Sequence, residues 1–164
     1  MATDEDHLPE VYIQPGESCL VREPAILRTI LGSCVGVTFW SPRHSAAALC
    51  HPMLPACPDD LDLGSRRSMG RRYVDFTIRE VAQQLDALGA PRKDVEVKLF
   101  GGANVLAMEN RSSRPTVGAQ NMKMALRILR DEGFTVSTSS MGGDAGIKIH
   151  FNTRTGEVLL HRLR

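Results

Sequence analysis

Three stretches of this sequence carry groups able to break a covalent bond or to hold the charge that develops when one breaks. The first is Leu31-Gly32-Ser33-Cys34, where a cysteine follows a small, flexible turn and opens an apolar run. A thiol so placed is reachable, and the N–H groups of the turn can hold an oxyanion. The second is His51, which closes the apolar run Ala46 to Cys50 and precedes a proline-rich stretch. A histidine at a strand end can take the proton of a thiol on a neighbouring strand and leave a nucleophilic thiolate. The third is Gly101-Gly102-Ala103-Asn104, a glycine pair directly after an apolar run, which admits close backbone approach. Each has a plainer reading. Free cysteine is usually a small buried hydrophobe, and a histidine is commonly satisfied by a backbone carbonyl. Taken singly, packing is the stronger reading; a Cys and a His on two successive strands favour a pair.

Positioning these groups requires strands. Val35, Val37 and Phe39 alternate with Cys34, Gly36, Thr38 and Trp40, which predicts a strand over Cys34 to Trp40. Ala25 to Ile30 and Ala46 to Cys50 read as its neighbours, with a turn at 41–45 that leaves His44 exposed. Val11 to Gln14 reads as a short strand ended by Pro15-Gly16. Ile78, Val81, Ala82, Leu85 and Leu88 mark a helix stopped by Gly89 and Pro91. Met122, Ala125, Leu126 and Leu129 mark a second, ended by Gly133, whose methionines read as core. Strands follow both helices at Val95 to Phe100 and Phe134 to Ser139, and a hairpin of Ile147 to Phe151 with Glu157 to Leu163 comes last.

Pro52 to Arg72, with three prolines and four arginines, reads as a long mobile surface loop. Its arginines are either a solvated charge run or a docking site for an acidic partner. Gly142-Gly143-Asp144 reads as a turn. The sum is an α+β domain, about two helices on mixed or antiparallel sheet, spanning 10–164 behind a flexible tail at 1–9.

A chain of 164 residues with net charge +1 suits one globular domain and has no broad footprint for nucleic acid or an anionic membrane. No apolar run is long enough to span a membrane, and the acidic start is unlike a signal peptide, which predicts a cytoplasmic protein. Cys19, Cys34, Cys50 and Cys57 fit no common zinc spacing, so structural zinc is not expected, and a thiol–imidazole mechanism calls for no metal or organic cofactor.

Together, Leu31-Gly-Ser-Cys34-Val-Gly-Val37, His51-Pro-Met-Leu-Pro55, Tyr73-Val-Asp75, Phe100-Gly-Gly-Ala-Asn104 and Gly118-Ala-Gln-Asn121 resemble the CheD family. These are the chemoreceptor glutamine deamidases of bacterial and archaeal chemotaxis, and the resemblance runs from about Pro15 to the final hairpin. It implies a thiol amidohydrolase that converts glutamines of receptor cytoplasmic helices to glutamate, on a cysteine-hydrolase fold related to deamidating toxins. It implies Cys34 as nucleophile and His51 as base. The third, threonine, member falls on Thr29, although the family position aligns one residue earlier, on Arg28. Gly32, Ser33, Gly101, Gly102 and Asn104 are the expected substrate and oxyanion set. The resemblance also implies partners, the chemoreceptor and a CheC-type phosphatase, and leaves open a purely regulatory binding module. Methylesterase action is an expected side activity. A redox reading would instead pair Cys34 with Cys50. One departure stands out: many members have Gly-Arg-Lys where this chain has Gly146-Ile147-Lys148.

Overall fold

The computed structural model describes residues 7–104 and 114–163. Two mixed sheets face each other, and helices cover the outer face of one of them. The first sheet has the order β1 (Glu10–Tyr12), β3 (Ile26–Leu31), β8 (Ile147–Asn152), β9 (Val158–Arg162). The second runs β2 (Ser18–Val21), β5 (Ala46–Cys50), β4 (Val35–Ser41), β6 (Glu96–Gly101), β7 (Val136–Met141). Among these strands β1–β3 and β6–β7 pair in parallel and the other pairs are antiparallel. The α+β expectation holds, with three α-helices among the described residues rather than about two: α1 (Leu63–Met69), α2 (Val74–Ala87) and α3 (Val117–Asp131).

Alternation along the central strands explains the layering, since successive side chains point to opposite faces. Val35, Val37 and Phe39 join Ala48, Cys50, Val97 and Leu99 in a core with α2 and α3. Phe39 meets Phe134 edge to face, centroids 5.3 Å apart, at the end of α3. Ala47, Leu49 and Phe100 point the other way and meet Leu27, Leu31, Ile149 and Phe151 of the first sheet. Burying a side chain of this size stabilises the fold by about 1.5–3 kcal/mol, so the sandwich interface and the helix interface are both substantial.

Several sequence expectations need correction. The stretch 52–72 is not one mobile loop: Asp62 caps α1 by accepting from the Ser65 N–H, and a 3-10 turn at Gly70–Arg72 follows. Its arginines are partly committed, Arg66 to the Leu61 and Asp59 carbonyls and Arg71 to Glu80. Strand β2 had no counterpart in the sequence reading. On α3 the buried stripe is Gly118, Asn121, Ala125, Ile128 and Leu129, while Leu126 is exposed. His44 is half-buried, its Nδ1 3.0 Å from the Ser41 hydroxyl. Of the tail expected at 1–9, residues 1–6 lie outside the described residues, and the Pro9 carbonyl is tied to the Ile26 N–H. Ile147, at the position that departs from the family pattern, is buried between the sheets opposite Leu31.

Candidate active site

Cys34 lies just before β4, and His51 follows β5 directly. The β4–β5 register pairs Val37 with Cys50, and a further rung joins the Val35 N–H to the Pro52 carbonyl at 3.4 Å. Continued by one residue, that register sets Gly36 across from His51, and Cys34 becomes its diagonal neighbour on the same face. Cys34 packs against the cluster between the sheets, as that placement requires. Glycine at 36 makes room for the Leu31 side chain, whose Cδ1 would lie 2.8 Å from a Cβ there.

His51 is pinned at its backbone and at its ring. Its N–H donates to the Glu17 carbonyl and its carbonyl accepts from Gly16, so the Pro15-Gly16 turn holds it from below. Its ring, 1% exposed, reaches across to the first sheet, where Nδ1 is 2.7 Å from the Thr29 hydroxyl. That hydroxyl donates its one proton to the Ile13 carbonyl at 2.6 Å. A carbonyl can only accept, so the hydroxyl must receive from the ring, and Nδ1 carries the proton. Nε2 is then the unprotonated nitrogen, the one available as a base. Arg28, the residue to which the family alignment points, faces the other way and pairs with Glu10 at 2.7 Å.

The electrostatics describe a neutral resting pair. Burial holds the His51 ring down to about 4, against smaller upward pulls from the Ile13 carbonyl and the Glu17 carboxylate. Burial also pushes the Cys34 thiol up, partly offset by its own backbone N–H. No direct hydrogen bond joins Cys34 to His51 among the described residues.

The loop before Cys34 is stitched from the β6 side. Gly102 N–H donates to the Cys34 carbonyl (2.8 Å), Ala103 N–H to the Gly32 carbonyl (2.9 Å) and Asn104 N–H to the Gly143 carbonyl (2.8 Å). The backbone N–H groups of Gly102 and Asn104 are therefore spent on holding these loops together. Gly101 is placed by its backbone: at φ +98° it passes so near the Cys34 carbonyl that a Cβ there would collide with it. The N–H groups of Ser33 and Cys34 have no backbone acceptor among the described residues. The pair Gly142-Gly143, read as a turn, is the partner of this loop.

The loop after His51 rests on the end of the 52–72 stretch and the start of α2. Met53 and Leu54 donate to the Arg72 carbonyl at 2.7 and 2.9 Å, and Val74 donates to Leu54. Cys50 is fully buried on the helix side of the sheet, its thiol 3.7 Å from the Val37 carbonyl. Cys34 faces the opposite side, so the two cannot form the disulfide that the redox reading needs. No group of three or more His, Cys, Asp or Glu side chains suited to a metal occurs among the described residues.

A half-buried cysteine and a tautomer-fixed histidine, on one face of a two-sheet domain, define the class as a candidate cysteine–histidine hydrolase site. The description "CheD chemotactic sensory transduction" matches residues 53–162, and the chain belongs to the CheD family. That match starts two residues beyond His51, but the relatives cover both residues. This chain is 40% identical to the "Probable chemoreceptor glutamine deamidase CheD 2" of Geobacter sulfurreducens, over 95% of this chain and 91% of the relative. It is 32% identical to the "Probable chemoreceptor glutamine deamidase CheD" of Maridesulfovibrio salexigens, over 99% and 97%. Its likeness to the crystal structure of Bacillus licheniformis hypothetical protein YfiH is slight: TM-score 0.49, 10% identity, 76% of this chain and 50% of that one. No helix among the described residues is long and apolar enough to cross a membrane.

Proposed function

We propose that this chain deamidates glutamine side chains on the cytoplasmic helices of chemoreceptors, working in the cytoplasm in chemotactic adaptation. The observation that carries the reading is the Thr29–His51 contact, which leaves Nε2 unprotonated on the face that also holds Cys34. Family membership supplies the substrate class.

When the substrate carboxamide closes over Cys34, His51 Nε2 takes the thiol proton and the sulfur attacks the amide carbon. The N–H groups of Ser33 and Cys34, beside Gly32, receive the oxyanion. Gly101, Gly102 and Asn104 shape that loop. The imidazolium gives its proton to the departing nitrogen, the C–N bond breaks and ammonia leaves. Water, deprotonated by the same nitrogen, then breaks the thioester to glutamate and restores the thiol. Thr29 keeps Nδ1 protonated throughout, so Nε2 alone cycles. The same attack on a glutamate methyl ester releases methanol, which is the methylesterase side activity.

Incubation of a receptor cytoplasmic fragment with the protein and with its Cys34→Ala form tests this reading by peptide mass. Each conversion exchanges NH₂ for OH and adds about one dalton. A gain that depends on Cys34 supports deamidation. No gain, with tight binding of the receptor fragment or of a CheC-type phosphatase in both forms, would replace it with a regulatory binding module.

A further inference from the structure

The Gly118-Ala-Gln-Asn121 segment is so far without a part in the chemistry, yet it touches both halves of the site. Asn121 lies on the buried face of α3, 0% exposed. Its side-chain nitrogen donates to the Ser33 carbonyl at 3.0 Å and to the Met53 carbonyl at 2.9 Å. Ser33 precedes the cysteine and Met53 lies two residues past the histidine.

These two carbonyls sit where the β4–β5 ladder fails. Its final rung is the 3.4 Å contact from Val35 to Pro52, and proline has no N–H to return the bond. Beyond that point no backbone hydrogen bond joins the two segments among the described residues. A carboxamide nitrogen, with two donors, closes the gap as a side-chain rung. Its oxygen has no hydrogen-bond partner among the described residues although it is buried.

Gly118 brings the rung into place. A Cβ at 118 would lie 2.5 Å from the Gly102 carbonyl oxygen and 2.7 Å from that of Ala103, so only glycine lets α3 approach this loop so closely. The glycine pair after β6 and the glycine opening this segment are thus two sides of one contact.

We propose that Asn121 is a positioning residue that fixes the distance between Cys34 and His51 by bridging the Ser33 and Met53 carbonyls. The inference rests on the Cys34–His51 reading above but not on the identity of the substrate. Two variants test it: Asn121→Leu, of similar volume without donors, and Asn121→Asp, which keeps the shape and loses the amide. Each is made alone and together with His51→Ala. Iodoacetamide alkylation of Cys34, resolved from the other thiols by peptide mass, is followed with receptor deamidation and melting temperature.

With the bridge intact, His51→Ala is expected to slow alkylation of Cys34 markedly. With either Asn121 variant in place it should change the rate little, because the pair is already uncoupled. In the deamidation assay kcat should fall about 10- to 100-fold with KM nearly unchanged, as for loss of outer support to a reacting pair. A folded variant whose effect simply multiplies with that of His51→Ala overturns the proposal, as does a wild-type cycle in which His51 does not affect Cys34. A wild-type protein that deamidates nothing would instead overturn the proposed function, and the alkylation cycle would still decide on Asn121.

Discussion

Replacing Thr29 by valine keeps the shape of the side chain and removes one oxygen. Because Thr29 is 0% exposed and its hydroxyl bridges Ile13 and His51, the change strands two groups at once, the Ile13 carbonyl and the ring Nδ1–H. An unpaired buried donor costs about 1–3 kcal/mol, which shifts a two-state equilibrium about 5- to 150-fold. Here the two states are the ring tautomers, and the shift favours the one with hydrogen on Nε2, which cannot accept the thiol proton. Turnover of a receptor fragment should therefore fall by about one to two orders of magnitude. Nitrogen chemical shifts of His51 should report the exchanged tautomer, and Thr29→Ser, which restores the oxygen, should recover most of both. The Ile13 carbonyl also loses its donor, so the melting temperature should drop in the valine form. A valine variant with wild-type turnover and Nδ1 still protonated would refute the tautomer argument.

Four further outcomes are expected. His51 is held down to about 4 from 6.5, so below pH 6.5 the unfolded state binds the extra proton first. Stability is full above that pH and falls as pH drops toward 4, by about 3 kcal/mol for a shift of this size; denaturant titrations of the wild type and His51→Gln should diverge across this window, and parallel curves would show that the ring is not buried neutral. The Cys50 thiol, pushed up to about 12 by burial, should stay unlabelled in the native protein at mildly alkaline pH. Oxidation should give no Cys34–Cys50 disulfide, and a mapped crosslink between them would contradict their placement on opposite faces. Gly118→Ala forces α3 away from the loop at 102–103 and should destabilise by about 1–3 kcal/mol; a fully stable, fully active alanine form in thermal melts and turnover assays would mean the close approach is not needed.

Alternation made the central strands readable, because Val35, Val37 and Phe39 keep a two-residue period although β4 is buried on both faces, its other face carrying Gly36, Thr38 and Trp40. The same rule, applied to β3, separates Leu27, Thr29 and Leu31 from Ile26, Arg28 and Ile30. A charged residue on the second set marks it as the outer face, so the choice of Thr29 over Arg28 was within reach of the sequence. Helix α1 was not: Leu63-Gly-Ser-Arg-Arg-Ser-Met69 buries no residue, so it leaves no apolar period, and its start depends on the Asp62 cap. Strand β2 is too short to show a pattern, with all four residues half-buried. Asn121 left a faint trace as a polar residue in line with Ala125 and Ile128, but its partners lie 88 and 68 positions away. No local pattern encodes such a contact.

The order of synthesis gives the two-sheet arrangement one more meaning. Cys34 and His51 belong to a local hairpin, but the strand carrying Thr29 is held by β8, with Thr29 itself opposite Ile149. While the chain is still on the ribosome, the hairpin can form long before β8 has been made. On the proposed mechanism, an unfinished or prematurely released chain has its thiol and imidazole but lacks the sheet that sets the tautomer. Competence on that mechanism then arrives only with the last strands.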